Sequence, residues 1–324
     1  MDRRAFTAGL AAMLAAPLGA MAQQATKIAR IGILSPTRPV TVPGVLRQRL
    51  QSLGWAEGVN YVLDERFGDE PRGRLRAHAD ELVRLNVDVI VAVSGPAITA
   101  AKQATATIPI VMSFSGVDPI KAGFVRSFSR PGGNVTGLAI LAPALAMKRL
   151  EALKEAVGDA SQTAVLVNPR NPSTIEQLHA MRAAASALKI ELQPIEISRS
   201  GEYAAAFAVI AKDRPHAMIV PSDPEFFRDR RMLVDLIAQA RLPAAFDWRD
   251  FVELGGLLAY SANIEDLIGR VAVFVDKILR GAKPADLPVE QPTKFELVIN
   301  LKTAKALRLT IPPSLLLRAD QVIE

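Results

Sequence analysis

Short apolar runs alternate with stretches whose apolar residues recur every three or four positions, first from Lys27 and again from Gln162. Such runs read as buried strands and the 3.6-residue period as helices, which makes the chain a series of β/α units. In the first half, IARIGILSP is a strand ending at Ser35-Pro36. VLRQRLQSLGW follows as a helix with Leu46, Leu50 and Leu53 on one face and Gly54 at its end. NYVLDERF, VDVIVAVSG and IPIVMSFSG supply three more strands, separated by the helices RLRAHADELVRLN and PAITAAKQAT, and IKAGFVRSF reads as a further amphipathic helix.

The second half repeats the order. QTAVLVNP, IELQPIEIS, HAMIVPSD and LPAAFDW are strands; TIEQLHAMRAAASALK, YAAAFAVIAKD and PEFFRDRRMLVDLIAQAR are the helices between them. Punctuation matches too. Ser35-Pro36 answers Asn168-Pro169, Ser94-Gly95-Pro96 answers Ser222-Asp223-Pro224, and Ile108-Pro109 answers Leu242-Pro243. Continuous apolar strands such as residues 87–93 imply parallel sheets covered on both faces. The expected fold is therefore α/β, with two doubly wound parallel-sheet lobes. GGNVTGLAI, which looks like a strand leaving the first lobe, GGLLAYSANI and KPADLPVEQPTKFELVINLKTAKALRL, a Pro-rich extended stretch with a last helix, read as three crossings, a three-segment hinge. On this reading one lobe comprises 27–137 plus 261–290 and the other 138–260 plus 291–324.

Ligands of open α/β sheets bind beyond the carboxyl ends of the strands, where the matched polar positions fall. Ser35, Ser94, Ser115, Asn168 and Asp223 converge if the lobes face each other. The turn Ser94, Gly95 and Ala97 opens a helix, whose free N–H groups favour a carboxylate or other anion; Ser94 either adds a hydroxyl to that site or only caps the helix. Asp223 could receive an ammonium or serve as N-cap to the helix that Pro224 opens. Asn168 and Asn171 could offer amide groups to a ligand, or form Asx turns. Asp118 either caps the IKAGFVRSF helix or contacts ligand. Phe114, Phe246 and Trp248 could wall an apolar ligand portion, Tyr260 could reach the cleft from a crossing, and Phe226 and Phe227 read as core.

Composition narrows the classes. The 324 residues contain no cysteine, which excludes disulfides and thiolate chemistry. His78, His179 and His216 have no metal-ligand spacing, and no dinucleotide, P-loop or nucleophile-elbow motif occurs, so neither cofactor, metal nor catalysis is expected. The net charge of +6 is scattered without runs, unlike a nucleic-acid groove. Residues 1–22 read as a cleavable signal peptide: Arg3 and Arg4, an Ala/Leu-rich core, then Ala20-Met21-Ala22. Arg3-Arg4 with Phe6 fits a twin-arginine signal as well as an ordinary one. Its removal takes away Asp2, Arg3 and Arg4, leaving +5 on an exported chain.

Long stretches of the chain resemble the ABC-transporter substrate-binding protein family whose better-known members bind tryptophan or tyrosine. They include RIGILSP, LVRLNVDVIVAVSGPAITAAKQAT, IPIVMSFSGVDPIKAGFVRSFSRPGGNVTGL, KRLEALKEAV, AVLVNPRNP and LPAAFDWRDFVELGGLLAYS, and a carboxyl-terminal run from DKILRG to QVIE. The resemblance implies a type I periplasmic-binding-protein fold, capture of a small molecule between two lobes, and delivery to a membrane permease with its ATPase. It maps binding positions onto Ser35, the turn from Ser94 to Ala97, the loop of Ser115 and Asp118, Asn168 and Asp223. Many Gram-positive relatives carry a lipid-modified cysteine; this chain has none, so it is expected to be free in a Gram-negative periplasm. A monomeric receptor for a small polar solute, an amino acid or a related or aromatic compound, is expected. The same clamshell could instead present its ligand to a chemoreceptor or sensor kinase.

Overall fold

The computed structural model describes residues 28–38, 41–68 and 74–324; the signal-peptide expectation for residues 1–22 lies outside them. Five strands form the first sheet: β1 (Ala29–Ser35), β2 (Tyr61–Phe67), β3 (Val89–Val93), β4 (Ile110–Ser113) and β5 (Val135–Gly137). Their order is β2-β1-β3-β4-β5, all parallel. The second sheet contains β6 (Gln162–Val167), β7 (Glu191–Glu196), β8 (Ala217–Val220), β9 (Ala244–Phe246), β10 (Leu258–Ala262), β11 (Phe295–Asn300) and β12 (Gln321–Ile323). Its order is β12-β11-β10-β9-β8-β6-β7. The run β7-β6-β8-β9-β10 repeats the first sheet's order, so the repeated punctuation has a spatial counterpart.

Both sheets are buried on two faces. Ile31, Ile33, Val89 and Val91 point to one side of the first sheet, against the helices Val42–Ser52 and Ile264–Leu279. Leu34, Ile90, Ala92 and Met112 point to the other, against Arg74–Arg84 and Gly95–Ala104. The second sheet is sandwiched in the same way between two further clusters. Burial of these aliphatic rows, about 25 cal/mol per Å² of apolar surface, is the main term holding each layer.

The chain passes between the sheets at residues 138–141, 262–264 and 290–295. These passages are laced together: Ala139 N–H donates to Glu290 O at 2.9 Å, and Asn263 N–H to Lys294 O at 3.0 Å. Gly137, the last residue of β5, has φ +118, and a Cβ there would stand 2.5 Å from Met112 O. Only glycine lets the first passage leave so close to β4.

Three local expectations are corrected. IKAGFVRSF forms turns, not a helix, because the chain folds back on itself at Gly123 (φ +68), where Phe124 N–H bonds Pro119 O at 2.8 Å. The helix expected across PEFFRDRRMLVDLIAQAR breaks at Asp229 into Pro224–Arg228 and Arg230–Gln239. FELVIN, expected within a crossing, is β11, antiparallel to β10, making the second sheet mixed at that edge. Its pairing with a strand 37 positions earlier carries no local signal.

Candidate functional site

In a β2-β1-β3-β4-β5 sheet the chain reverses direction across the sheet between β1 and β3, leaving a crevice at their carboxyl ends. Ser35 ends β1 and Ser94 follows β3; in the second sheet Asn168 follows β6, and Ser222 and Asp223 follow β8. The two crevices face each other across a cavity of about 780 Å³, its open mouth included.

The first-sheet wall carries the donors. Ser94 has φ +78, a conformation non-glycine residues avoid, and its buried Oγ has no hydrogen-bond partner. It is the N-cap of Gly95–Ala104 without a side-chain cap bond, so the hydroxyl and the helix's first N–H groups remain for something else. Phe114, with φ +57, is turned onto the cavity beside Ser115 and Gly116. The Ser115 hydroxyl is spent on Val117 O at 3.1 Å.

The opposite wall is a closed polar network. Asp223 Oδ1 accepts from Glu225 N–H at 2.7 Å and Phe226 N–H at 3.1 Å, while Oδ2 accepts from Asn168 Nδ2 at 3.0 Å and Asn171 Nδ2 at 2.8 Å. Asn171 in turn caps Pro172–Leu188 through Ser173 N–H. Behind it, the fully buried Arg149 donates from Nε to Tyr260 O at 3.0 Å and from Nη1 to Gln177 Oε1 at 3.3 Å. Gln177 bonds Ser173 and Ser222, both of which line the cavity. A continuous chain of hydrogen bonds thus runs from the hinge strand β10 to the cleft.

Two contacts span the cleft. Ser173 Oγ donates to Gly116 O at 2.9 Å, and the rings of Phe114 and Trp248 meet edge to face at 5.4 Å. Gly116 (φ +69) approaches so closely that a Cβ would lie 3.1 Å from Ser173 Oγ. A hydrogen bond is worth about 1 kcal/mol net, or roughly fivefold in an equilibrium. Ser173→Ala should therefore weaken ligand affinity about fivefold by disfavouring the closed lobes, mainly through faster release in a stopped-flow measurement; unchanged release would deny the bond this role.

Asp247, beside Trp248, is buried with neither oxygen hydrogen-bonded. Burial pushes its carboxyl up to about 7, outweighing the pull of the Arg149 guanidinium and the nearby Ser222 hydroxyl. The same burial draws Arg149 down to about 10 against the attraction of Asp247. Between about pH 4 and pH 7 the folded chain holds a proton on Asp247 that the unfolded chain has released. Stability therefore falls as pH rises through that window, by on the order of a few kcal/mol for this group. Asp247→Asn should remove that component, so melting temperatures at pH 5 and pH 8 should show the variant gaining on wild type at the higher pH. A constant difference would contradict the assignment.

Of the residues singled out in the sequence as site candidates, Ser35, Ser94, Gly95, Phe114, Ser115, Asn171, Asp223 and Trp248 line the cavity. Ala97, Asp118, Asn168, Phe246 and Tyr260 do not. The Ala97 side chain is fully buried in the first-sheet core, leaving only its backbone N–H near the site. Asp118 caps a surface turn through Ile120 N–H at 2.8 Å. Asn168 stands behind Asp223 as its hydrogen-bond donor. Phe246 points from β9 into the core, stacked on Phe251 at 4.8 Å. Tyr260 packs between the two cores at the hinge and stacks on Phe295. Phe227, read as core, lines the cavity, whereas its neighbour Phe226 is buried. Adjacent residues on a helix lie about 100° apart, so an FF pair in a first turn already implied that one ring faces elsewhere. Thr41, Ser173 and Ile264 also line the cavity and carried no signal that marks them in advance.

A two-lobed α/β clamshell with its cavity at paired switch points is a solute-binding protein of the type I periplasmic-binding-protein fold. Residues 28–323 match the family model described as ABC transporter substrate binding protein, and the chain belongs to that family. A tyrosine-binding protein of Clostridioides difficile (strain R20291) is 27% identical over 259 residues, spanning 80% of this chain and 74% of the relative. The crystal structure of an ABC domain in complex with L-Trp from Streptococcus pneumonia is 26% identical with a TM-score of 0.84, covering 91% of this chain and 99% of that one. A conserved domain protein from Vibrio cholerae is also 26% identical, with a TM-score of 0.85 over 91% of this chain and all of that one.

Proposed function

We propose that the protein is the monomeric periplasmic receptor of an ABC importer, capturing an amino acid or related aromatic solute in the cleft and presenting it to the permease. The observation that carries this reading is the composition of the cavity. Phe114 from one wall and Phe227 and Trp248 from the other offer apolar faces, and the Ser94 turn offers donors at one end. An aromatic ring with an anionic tail fits that division. The tyrosine-binding relative and the L-Trp complex support the aromatic class. Closure turns on the three passages, moving 27–137 plus 261–290 against 138–260 plus 291–324. Ligand shifts the open–closed equilibrium by binding the closed form better.

A thermal-shift screen of the refolded mature protein against amino acids, aromatic acids and other metabolites tests this. A ligand at a hundred times its dissociation constant adds about 2.7 kcal/mol. Stabilisation by one aromatic class is the expected result; stabilisation only by sugars or cations would refute the reading.

A further inference from the structure

The two walls of the cavity present different groups to the two charges of an amino acid. Among the described residues that line the cavity, Asp223 is the only ionisable side chain, and among them the only candidate to neutralise an ammonium group. An ionised carboxylate has about four lone-pair positions, two on each oxygen. At Asp223 all four are engaged: two helix N–H groups on Oδ1, and the amides of Asn168 and Asn171 on Oδ2. The residue is 3% exposed. An ammonium reaching it would have to displace a cap bond or an asparagine, each held in place by further bonds of its own. Asn171 Oδ1 holds Ser173 N–H at 3.1 Å, and Asn168 Oδ1 holds Arg170 N–H at 3.1 Å.

Among the described residues no other carboxylate lines the cavity. Asp247 is the next one along that wall, but it is not part of the lining and both its oxygens are sealed from solvent. Hydroxyls and carbonyls could accept from an ammonium without neutralising it, and a buried cation without a counter-charge is strongly disfavoured.

Negative charge meets the opposite situation. The Ser94 hydroxyl is buried and unpartnered, and no described residue accepts from Gly95 N–H or Ala97 N–H. These groups open the ten-residue helix Gly95–Ala104, whose dipole adds to the attraction. Pro96 between them has no N–H to satisfy. The unpartnered donors therefore belong to the first-sheet wall, and the engaged carboxylate to the second-sheet wall.

We infer that the preferred solute is an aromatic monocarboxylate without a primary ammonium group, its carboxylate on the Ser94–Ala97 turn and its ring between Phe114, Phe227 and Trp248. This rests on the reading of the cleft as an aromatic-solute site and narrows it.

The test is isothermal calorimetry of the refolded mature protein with three matched sets: each aromatic amino acid (phenylalanine, tyrosine, tryptophan), its 3-arylpropanoate, and its arylethylamine. The propanoate of at least one set should bind at least tenfold tighter than the amino acid, and the amines should not bind. In Ser94→Gly, a change that suits φ +78 and so spares the fold, the propanoate should lose about tenfold. An amino acid that binds as tightly as its propanoate overturns the inference while leaving the solute-receptor reading standing. Undiminished propanoate binding to Ser94→Gly overturns the placement of the carboxylate. Silence from all nine compounds sinks the inference together with the aromatic part of the reading.

Discussion

Replacing Asp223 by alanine should cost the protein about 3–7 kcal/mol of stability, read as a lower denaturant midpoint at unchanged slope. The sum has two parts. Loss of an N-cap aspartate costs about 1 kcal/mol. The larger part comes from the amides of Asn168 and Asn171, which donate to the same oxygen in a buried setting and would be left unsatisfied at about 1–3 kcal/mol each. Asp223→Asn should recover part of the loss, because its carbonyl can still cap the helix, while its amide group faces two other donors. A loss below 1 kcal/mol in the alanine variant would mean that the carboxylate is not committed to the wall, and would make it available to a ligand.

Trp248→Ala should lower ligand affinity at least thirtyfold. Trp248 lines the cavity, packs against cores of both lobes and meets Phe114 edge to face. It therefore serves the ligand twice, as an apolar wall and as part of the surface that closes. Buried aromatic anchors of this kind dominate interfaces, at 2 kcal/mol or more each. Trp248→Phe should retain most of the wall and lose severalfold less. Calorimetry on the two variants checks the order; equal affinity in wild type and Trp248→Ala would remove the tryptophan from the site.

The architecture was legible because the sequence writes it twice. Buried parallel strands must be continuous apolar runs, and the Pro and Gly residues that end them mark the same boundaries in both halves. The positions of the site loops follow, since ligands of such sheets bind at strand carboxyl ends. Which way a side chain points from those loops was much less legible. Phe246 and Trp248 are two residues apart at the end of β9, yet one enters the core and the other the cleft, because the chain leaves the strand between them. Ala97 and Gly95 share one turn, and helical geometry sends the first inward. The role of Asp223 depended on Asn168 and Asn171, some fifty residues away, reaching it through the fold. Arg149 was likewise hidden: an arginine on an amphipathic helix reads as surface until the hinge carbonyl of Tyr260 and the Gln177 amide are found beside it.

The chain has two tryptophans, Trp55 and Trp248. In the variant Trp55→Phe, emission reports Trp248 alone. Titrating this variant with the compound that stabilises it most tests the central claim, that solute is held between the lobes. A saturable change in Trp248 emission, with the midpoint found by calorimetry, is the predicted result. Calorimetric binding at one-to-one stoichiometry with unaltered Trp248 emission would place the ligand elsewhere and contradict the account.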